Sequence, residues 1–520
     1  MNKIIEFIKK EKGNLSVEFT YRDEKQDAYT IKKSNNKYEV TASNLRSCLY
    51  AVYHILDGKP PGEFKAEFPI RGINTVEALA RHSPEQIKNL IDRMGRWRMN
   101  TLVIHTVYGW NLHKRTIIEE CEKRGIDLVF YIYTSLAFLK NCNPKYFARR
   151  SNGELIYNTL ECETRLCVSN EEGLKELERG CREYFKNELT EEGSILLCPA
   201  DGLYLCQCPS CCRFNAIEQW EPILRRSVNI LKEIKPEAPL ESLIYVQRYR
   251  VPDDMRTYRR LDRILFDIHR RYRWAAINES HPEYKNPEYE YDPDAVLPTN
   301  KYLYKKLKDW RNAFKNEIYI HDNLMLQATL SCPQPNTSIL LEDLKLYKKL
   351  KLQGVVYEAF EPGIESFASQ IKILSDAMWD LNINYTPSEI EKWCLNANIM
   401  TGVLYFTKEN NFPWDTFKGI YDDIIYTHMK NIADFYDNPS RKTFQRCIHY
   451  ILEFPERFDI LYISFSLFKH LNRKGLLDLT KFTEKERRFI KINKLWDFME
   501  TLEEPFEETL EIIKKMKDKV

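Results

Sequence analysis

The chain is predicted to be an α/β protein: a (β/α)8 TIM barrel over residues 67–383, preceded by a small α+β domain (1–66) and followed by an all-helical domain (384–520). Three observations predict this. Short strand-like runs alternate with amphipathic helical runs from Phe68 onward. Eight such strands occur before residue 384, the count and size of a closed barrel. No glycine-rich phosphate loop follows any strand, which disfavours a doubly wound open sheet.

The first elements are LSVEFTYR, AYTIKK and KYEVTA, each alternating as a short strand does, and NLRSCLYAVYHIL, a helix entered through a Ser or Asn cap. GKPPGEF then breaks the pattern with Gly and Pro and marks a boundary near the end of this module. The barrel strands are read at FPIRGINTV, TLVIHTV, DLVFYIYTS, SILLCPADG, ESLIYVQRY, ILFDIHRRY, EIYIHDN and GVVYEAFEP. Between them lie helical patterns such as PEQIKNLIDRMGRWR, HKRTIIEECEKRG, EEGLKELERGCREYFKN, WEPILRRSVNILKEI, YLYKKLKDWRNAFKN and LEDLKLYKKLKL. Beyond residue 384 only helical patterns remain, among them DDIIYTHMKNIADFY, KTFQRCIHYILEF and a lysine-rich final helix. This appendage either pairs two copies of the chain as a homo-oligomer or covers the barrel mouth.

Charge narrows the function. Lys and Arg number 78 against 76 Asp and Glu, a net charge of +2 with no long single-sign block, which argues against nucleic acid as a partner. No apolar run approaches the roughly 20 residues of a membrane helix, and MNKIIEFIKKEKGNLSVEF lacks the small-residue cleavage site of a secretory signal. A soluble, cytoplasmic protein is expected, and its 14 cysteines are expected to be reduced thiols or metal ligands rather than a disulfide scaffold.

Barrels assemble active sites where strands exit at the C-terminal end. Four acids stand there: Asp201 after SILLCPA, Asp322 after EIYIH, and Glu358 and Glu361 after GVVY. Each could instead cap the following helix. Arg71, His82 and His105 bunch at the exits of the first two strands, and His269, His281 and His321 end or follow later ones. Trp110 and Tyr133 are the aromatics best placed to lie against a sugar ring, although barrel packing explains such rings equally well. Cys206, Cys208, Cys211 and Cys212 form C-x-C-x-x-C-C just after Asp201, with Cys162, Cys167 and Cys198 close in sequence. Thiolates at this spacing can hold a structural zinc that pins a loop, or can simply pack as thiols.

The segments FPIRG…ARH and IKNLIDRM…MNTLVIH…GW, with YAVYHIL before them, resemble the opening of glycoside hydrolase family 20 β-hexosaminidases. Further on, CPADGLYLCQCPSC and QGVVYEAFEPGIESFASQIKILSDAMWD are similar to the bacterial family 163 endo-β-N-acetylglucosaminidases, and α-glucuronidases share the layout. The resemblance implies hydrolysis of a β-linked amino sugar or related glycoside at the barrel mouth, with an oligosaccharide or glycoside as partner and no cofactor needed for catalysis. It implies that Arg71 bonds the hydroxyls of the non-reducing sugar and that His105 sits where that family places a histidine at the end of the second strand; strand-end position adds His82 and His321 as further binding candidates. The chain departs from family 20 at the fourth strand, where Ala200, Asp201 and Gly202 replace an Asp-Glu pair. Two mechanisms stay open. In one, Asp201 orients a substrate acetamido group and Glu358 is the acid; in the other, Asp201 or Asp322 pairs directly with Glu358. A carbohydrate-binding barrel without chemistry and a metal-dependent hydrolase are the competing functions.

Overall fold

Eight parallel strands close on themselves in the computed structural model, which describes residues 3–35, 37–75, 83–107, 109–140, 142–156, 166–199, 205–245, 248–268, 271–281, 299–324, 336–358, 364–388, 391–392, 423–453, 478 and 480. Before the barrel comes a four-stranded module. It comprises α1 (Lys3–Lys12), β1 (Val17–Tyr21), β2 (Ala28–Ser34), β3 (Lys37–Ala42), α2 (Leu45–Leu56) and β4 (Gly62–Lys65), with strand order β1-β3-β2-β4. The β1·β3 pair is parallel and the others antiparallel. Asn44 caps α2 by accepting from Ser47 N, satisfying one of the donors a helix start leaves open. The apolar face of α2 fills one side of the sheet, and Tyr50 Oη donates to Met99 O at 2.9 Å, tying the module to the barrel.

The barrel runs β5 (Ile70–Asn74), α3 (Pro84–Arg96), β6 (Thr101–His105), α4 (Trp110–Arg124), β7 (Asp127–Tyr133), α5 (Thr134–Phe138), α6 (Glu171–Asn187), β8 (Ser194–Cys198), α7 (Ala216–Ile234), β9 (Leu240–Ile244), β10 (Arg263–Asp267), α8 (Asn300–Ala313), β11 (Glu317–Asn323), α9 (Thr337–Lys349), β12 (Gly354–Glu358) and α10 (Ile364–Trp379). It closes through β12 and β5, which pair from Gly354 with Ile70 to Glu358 with Asn74. Buried on both faces, the strands read as apolar runs rather than alternating ones. The eight-strand expectation is correct. One βα unit departs from the expected rhythm: between β9 and β10 the described residues form 3-10 turns, including Tyr258–Arg260, in place of an α-helix. Helix α7 starts at Ala216, four residues before the expected WEPIL run, because Asn215 and Glu218 form a reciprocal capping box.

The strand period of two divides the side chains cleanly. Ile70, Val103, Val129, Tyr131, Leu196, Leu243, Leu265, Tyr319 and Val356 fill the lumen. Their neighbours along each strand, such as Ile73, Leu102, Phe130, Leu197, Phe266 and Tyr357, pack outward against the helices. Of the expected helical domain at 384–520, α11 (Asp423–Asp437) and α12 (Arg441–Glu453) are described and pack together; most of that stretch lies outside the described residues. Among the described residues, no helix is long and apolar enough to cross a membrane.

Candidate active site at the barrel mouth

Four strand ends, β10, β11, β12 and β5, carry the polar arc of the mouth. His321 in β11 stands between two carboxylates: Nδ1 bonds Asp267 in β10, and Nε2 lies 2.8 Å from Glu358 Oε2 in β12. Asn323, two residues beyond His321 on the same face, donates from Nδ2 to Glu358 Oε1 at 2.9 Å. Asn74 at the end of β5 stands beside both groups, its Nδ2 3.0 Å from His321 Nε2 and 3.5 Å from Glu358 Oε2. Burial disfavours charge on His321, but Asp267 and Glu358 outweigh it and push its pKa up to about 10. The imidazole is therefore a cation at neutral pH, donating from both nitrogens. Glu358 is contacted on both oxygens, by His321 on Oε2 and by Asn323 on Oε1, which fixes its direction, and its side chain keeps 11% exposure toward the mouth.

The next two strands supply an aromatic arc. His105 at the end of β6 lies flat on Tyr131, centroids 3.8 Å apart, and meets Tyr133 edge-on at 5.7 Å. Burial, reinforced by the charge on His321, holds the His105 pKa well below its ordinary value, so this histidine is neutral beside a charged one. Two histidines a few strands apart thus have opposite charge states, set by whether carboxylates or tyrosines surround them.

The structure brings together Glu358, His321, His105 and Tyr133 from the residues singled out in the sequence. Three others go elsewhere. Arg71 is fully buried on the outer face of β5, toward the N-terminal end: it pairs with Asp27 of the small module, donates to Phe68 O at 2.7 Å and to Arg98 O at 3.0 Å, and lies over the Trp379 ring at 4.9 Å. It is a tie between module and barrel, not a group at the mouth, which corrects the expectation drawn from the resemblance. Asp322 points opposite to His321, since adjacent strand residues face opposite sides; it sits outside the lumen with Arg271, 3.4 Å away, and Arg273, and so does not pair with Glu358. Trp110, 2% exposed, opens α4 and packs edge-on against Phe130 in the barrel–helix core, where no sugar can lie on it. Among the secondary candidates, His281 stacks on Tyr272 and accepts from Asn300 N, a structural role. Asp201, His82, Glu361 and His269 lie outside the described residues.

Asp267, Asn74 and Asn323 were missed, although each ends a correctly read strand. The available signal was parity: Asp267 is two residues after lumen-facing Leu265, and Asn74 four after Ile70. Cys206, Cys208 and Cys211 do converge, joined by Cys167. Cys198 faces the lumen instead, Cys212 is exposed, and Cys162 lies outside the described residues. Among the described residues, this is the one grouping of three or more His, Cys, Asp or Glu side chains close enough to share a metal ion. A surface depression of about 920 Å³ runs along α7 past Glu221, Arg225 and Arg256; it is a mixed-charge groove on the helical exterior, away from the strand ends.

No family model matches the chain, and no curated protein matches it. Solved structures do. A chitobiase of Flavobacterium johnsoniae is 13% identical, with 92% of this chain and 85% of that one covered and a TM-score of 0.48. A β-N-acetylhexosaminidase from Bacteroides fragilis is 14% identical over 74% of this chain and 84% of its own, TM-score 0.47. A family 89 enzyme of Clostridium perfringens, in complex with GlcNAc-α-1,4-galactose, is 10% identical over 94% of this chain and 62% of its own, TM-score 0.49.

Proposed function

We propose that the protein is a glycoside hydrolase that binds a β-linked amino sugar or a related glycoside at the barrel mouth, with Glu358 as a reacting carboxylate. The observation that carries this reading is the Asp267–His321–Glu358 line, braced by Asn323, at the C-terminal end of a closed barrel. Glycoside hydrolysis needs a proton delivered to the leaving oxygen and negative charge facing the oxocarbenium-like carbon. Glu358, accepting from His321 and Asn323, suits the second task. The proton then comes from another acid, and Asp201, which the sequence puts after the fourth strand, takes that part. Water completes the reaction, its hydroxyl going to the anomeric carbon and its remaining proton restoring the acid. With Arg71 committed elsewhere, Asn74, His105 and Tyr133 are the groups offered to sugar hydroxyls and ring faces.

Aryl β-glycosides of N-acetylglucosamine, N-acetylgalactosamine and glucuronic acid test the reading. Glu358→Gln keeps the size and the Asn323 contact, so it should lower kcat by about 10²–10⁴-fold while leaving ligand binding intact. Wild-type binding without turnover on any of the three would mark a carbohydrate-binding barrel. Hydrolysis that persists undiminished in Glu358→Gln would remove Glu358 from the chemistry.

A further inference from the structure

We propose that Cys167, Cys206, Cys208 and Cys211 bind one zinc ion as four thiolates, clamping the loop after the third barrel strand to the loop after the fourth. The sulfur geometry is the first reason. Cys167 Sγ is 3.7 Å from Cys208 Sγ and 3.8 Å from Cys211 Sγ, and all four ligand atoms lie within 4.8 Å of one another. Zinc–sulfur bonds of about 2.3 Å in a tetrahedron set neighbouring sulfurs about 3.8 Å apart. A disulfide needs about 2.05 Å, and all four thiols are free.

The surroundings are the second reason. Cys48, Cys121 and Cys181 are packed among apolar side chains, as thiols used for bulk are. The four clustered thiols border the same core but also meet polar groups. Ser169 Oγ lies 3.2 Å from Cys167 Sγ and 3.5 Å from Cys208 Sγ and accepts from Cys211 Sγ at 3.3 Å, and Arg149 N donates to Cys206 Sγ at 3.5 Å. Gln219, in the first turn of α7, holds the loop from behind: Nε2 donates to Cys206 O, Cys211 O and Phe214 O, and Oε1 accepts from Cys206 N. Donors to the sulfurs and a fixed loop are what a dianionic tetrathiolate zinc centre requires around it. Binding releases four thiol protons to solvent and involves no change of oxidation state. The clamp joins chain segments some 40 residues apart in sequence (Cys167 and Cys208 differ by 41), on either side of β8. Its place beside the fourth-strand exit makes it a brace for one wall of the mouth.

The test is metal analysis of the full-length protein purified without added metal or chelator. One zinc per chain is expected, falling below half in Cys167→Ser and Cys211→Ser and retained in Cys212→Ser, whose thiol is exposed and outside the cluster. Should the two variants fail to fold, wild-type protein reconstituted with cobalt decides the matter, because four thiolates give sulfur-to-cobalt charge-transfer bands and tetrahedral ligand-field bands. Wild-type protein without bound metal, iron in place of zinc, or two disulfides among these cysteines would overturn the proposal. Glu358→Gln turnover in the same preparation is a separate readout, so failure here leaves the glycosidase reading standing or falling by itself.

Discussion

Arg71→Met should loosen the fold without touching the mouth. Methionine keeps much of the bulk over Trp379 but removes the cation from a site where Arg71 and Asp27 are both fully buried. Breaking one partner out of a buried ion pair costs about 3–5 kcal/mol. Asp27 would retain Arg46 at 3.1 Å and Asn100 Nδ2 at 3.0 Å, so the expected loss lies at the low end, about 3 kcal/mol. Urea unfolding of Arg71→Met, Asp27→Asn and the double variant measures it, with a coupling between the two sites of about 1–3 kcal/mol. The acid side gives an independent check. Burial alone would raise the Asp27 pKa, but Arg46 and Arg71 bring it from 3.8 down to about 2. A depressed carboxylate contributes its stability above its unfolded pKa and loses it as pH falls through the folded value. About 2 kcal/mol should therefore disappear between pH 4 and 2 in wild type, and less in Arg71→Met. An unchanged unfolding midpoint in Arg71→Met, coupled with a tenfold or greater rise in KM, would refute this reasoning and return Arg71 to the substrate.

Three further outcomes are expected. His321, its pKa raised to about 10, contributes stability fully below its unfolded pKa of 6.5 and loses it as pH rises through 10; its ring resonances should not titrate between pH 6 and 9, whereas in Asp267→Asn they should, and a titration near 6.5 in wild type would refute the charged assignment. Gly180 of α6 approaches α5 so closely that an added Cβ would stand 1.8 Å from Phe138 O, so Gly180→Ala should cost about 3 kcal/mol or more in chemical unfolding, and a neutral result would mean that the two helices are not in this contact. Glu241 lies fully buried at the lower end of the lumen, and burial raises its pKa despite Arg263 and Tyr319. Its contribution to stability thus falls as pH rises above its ordinary value of 4.5, and Glu241→Gln should flatten that slope while leaving turnover intact; lost activity would place Glu241 nearer the chemistry than the structure does.

The fold was legible because barrel strands and helices differ in period and length, and all eight strand segments carry that signature. Between β9 and β10 the described residues form no α-helix, and no amphipathic run separates ESLIYVQRY from ILFDIHRRY. The site was legible only by half. Strand-end position selected His105, Tyr133, His321 and Glu358, which the fold brings together, but it also selected Asp322, which differs from His321 by one residue and therefore by the whole thickness of the sheet. Arg71 carries the same lesson with a second cause. Its partner Asp27 lies in the four-stranded module before the barrel, and a contact across 44 residues leaves no periodic trace. Cysteine spacing supplied three members of the thiol cluster as a motif and Cys162, Cys167 and Cys198 as candidates to join it; the fold selects Cys167.

Both ends of the barrel lumen contain buried carboxylates, and they differ in the direction from which each is satisfied. At the lower end, Glu241 accepts from Tyr319 Oη and lies 3.3 Å from Arg263, partners that close around it and leave it wholly buried. At the upper end, His321 and Asn323 approach Glu358 from neighbouring strands, while part of its side chain remains open to the mouth. Asp267 completes the difference, because it keeps His321 charged without itself facing Glu358 as a like charge. An imidazolium between two carboxylates lets the barrel hold Asp267 and Glu358 close together at one end of its lumen. A single histidine in the seventh strand, two residues below an asparagine of the same parity, thereby sets the charge of the mouth.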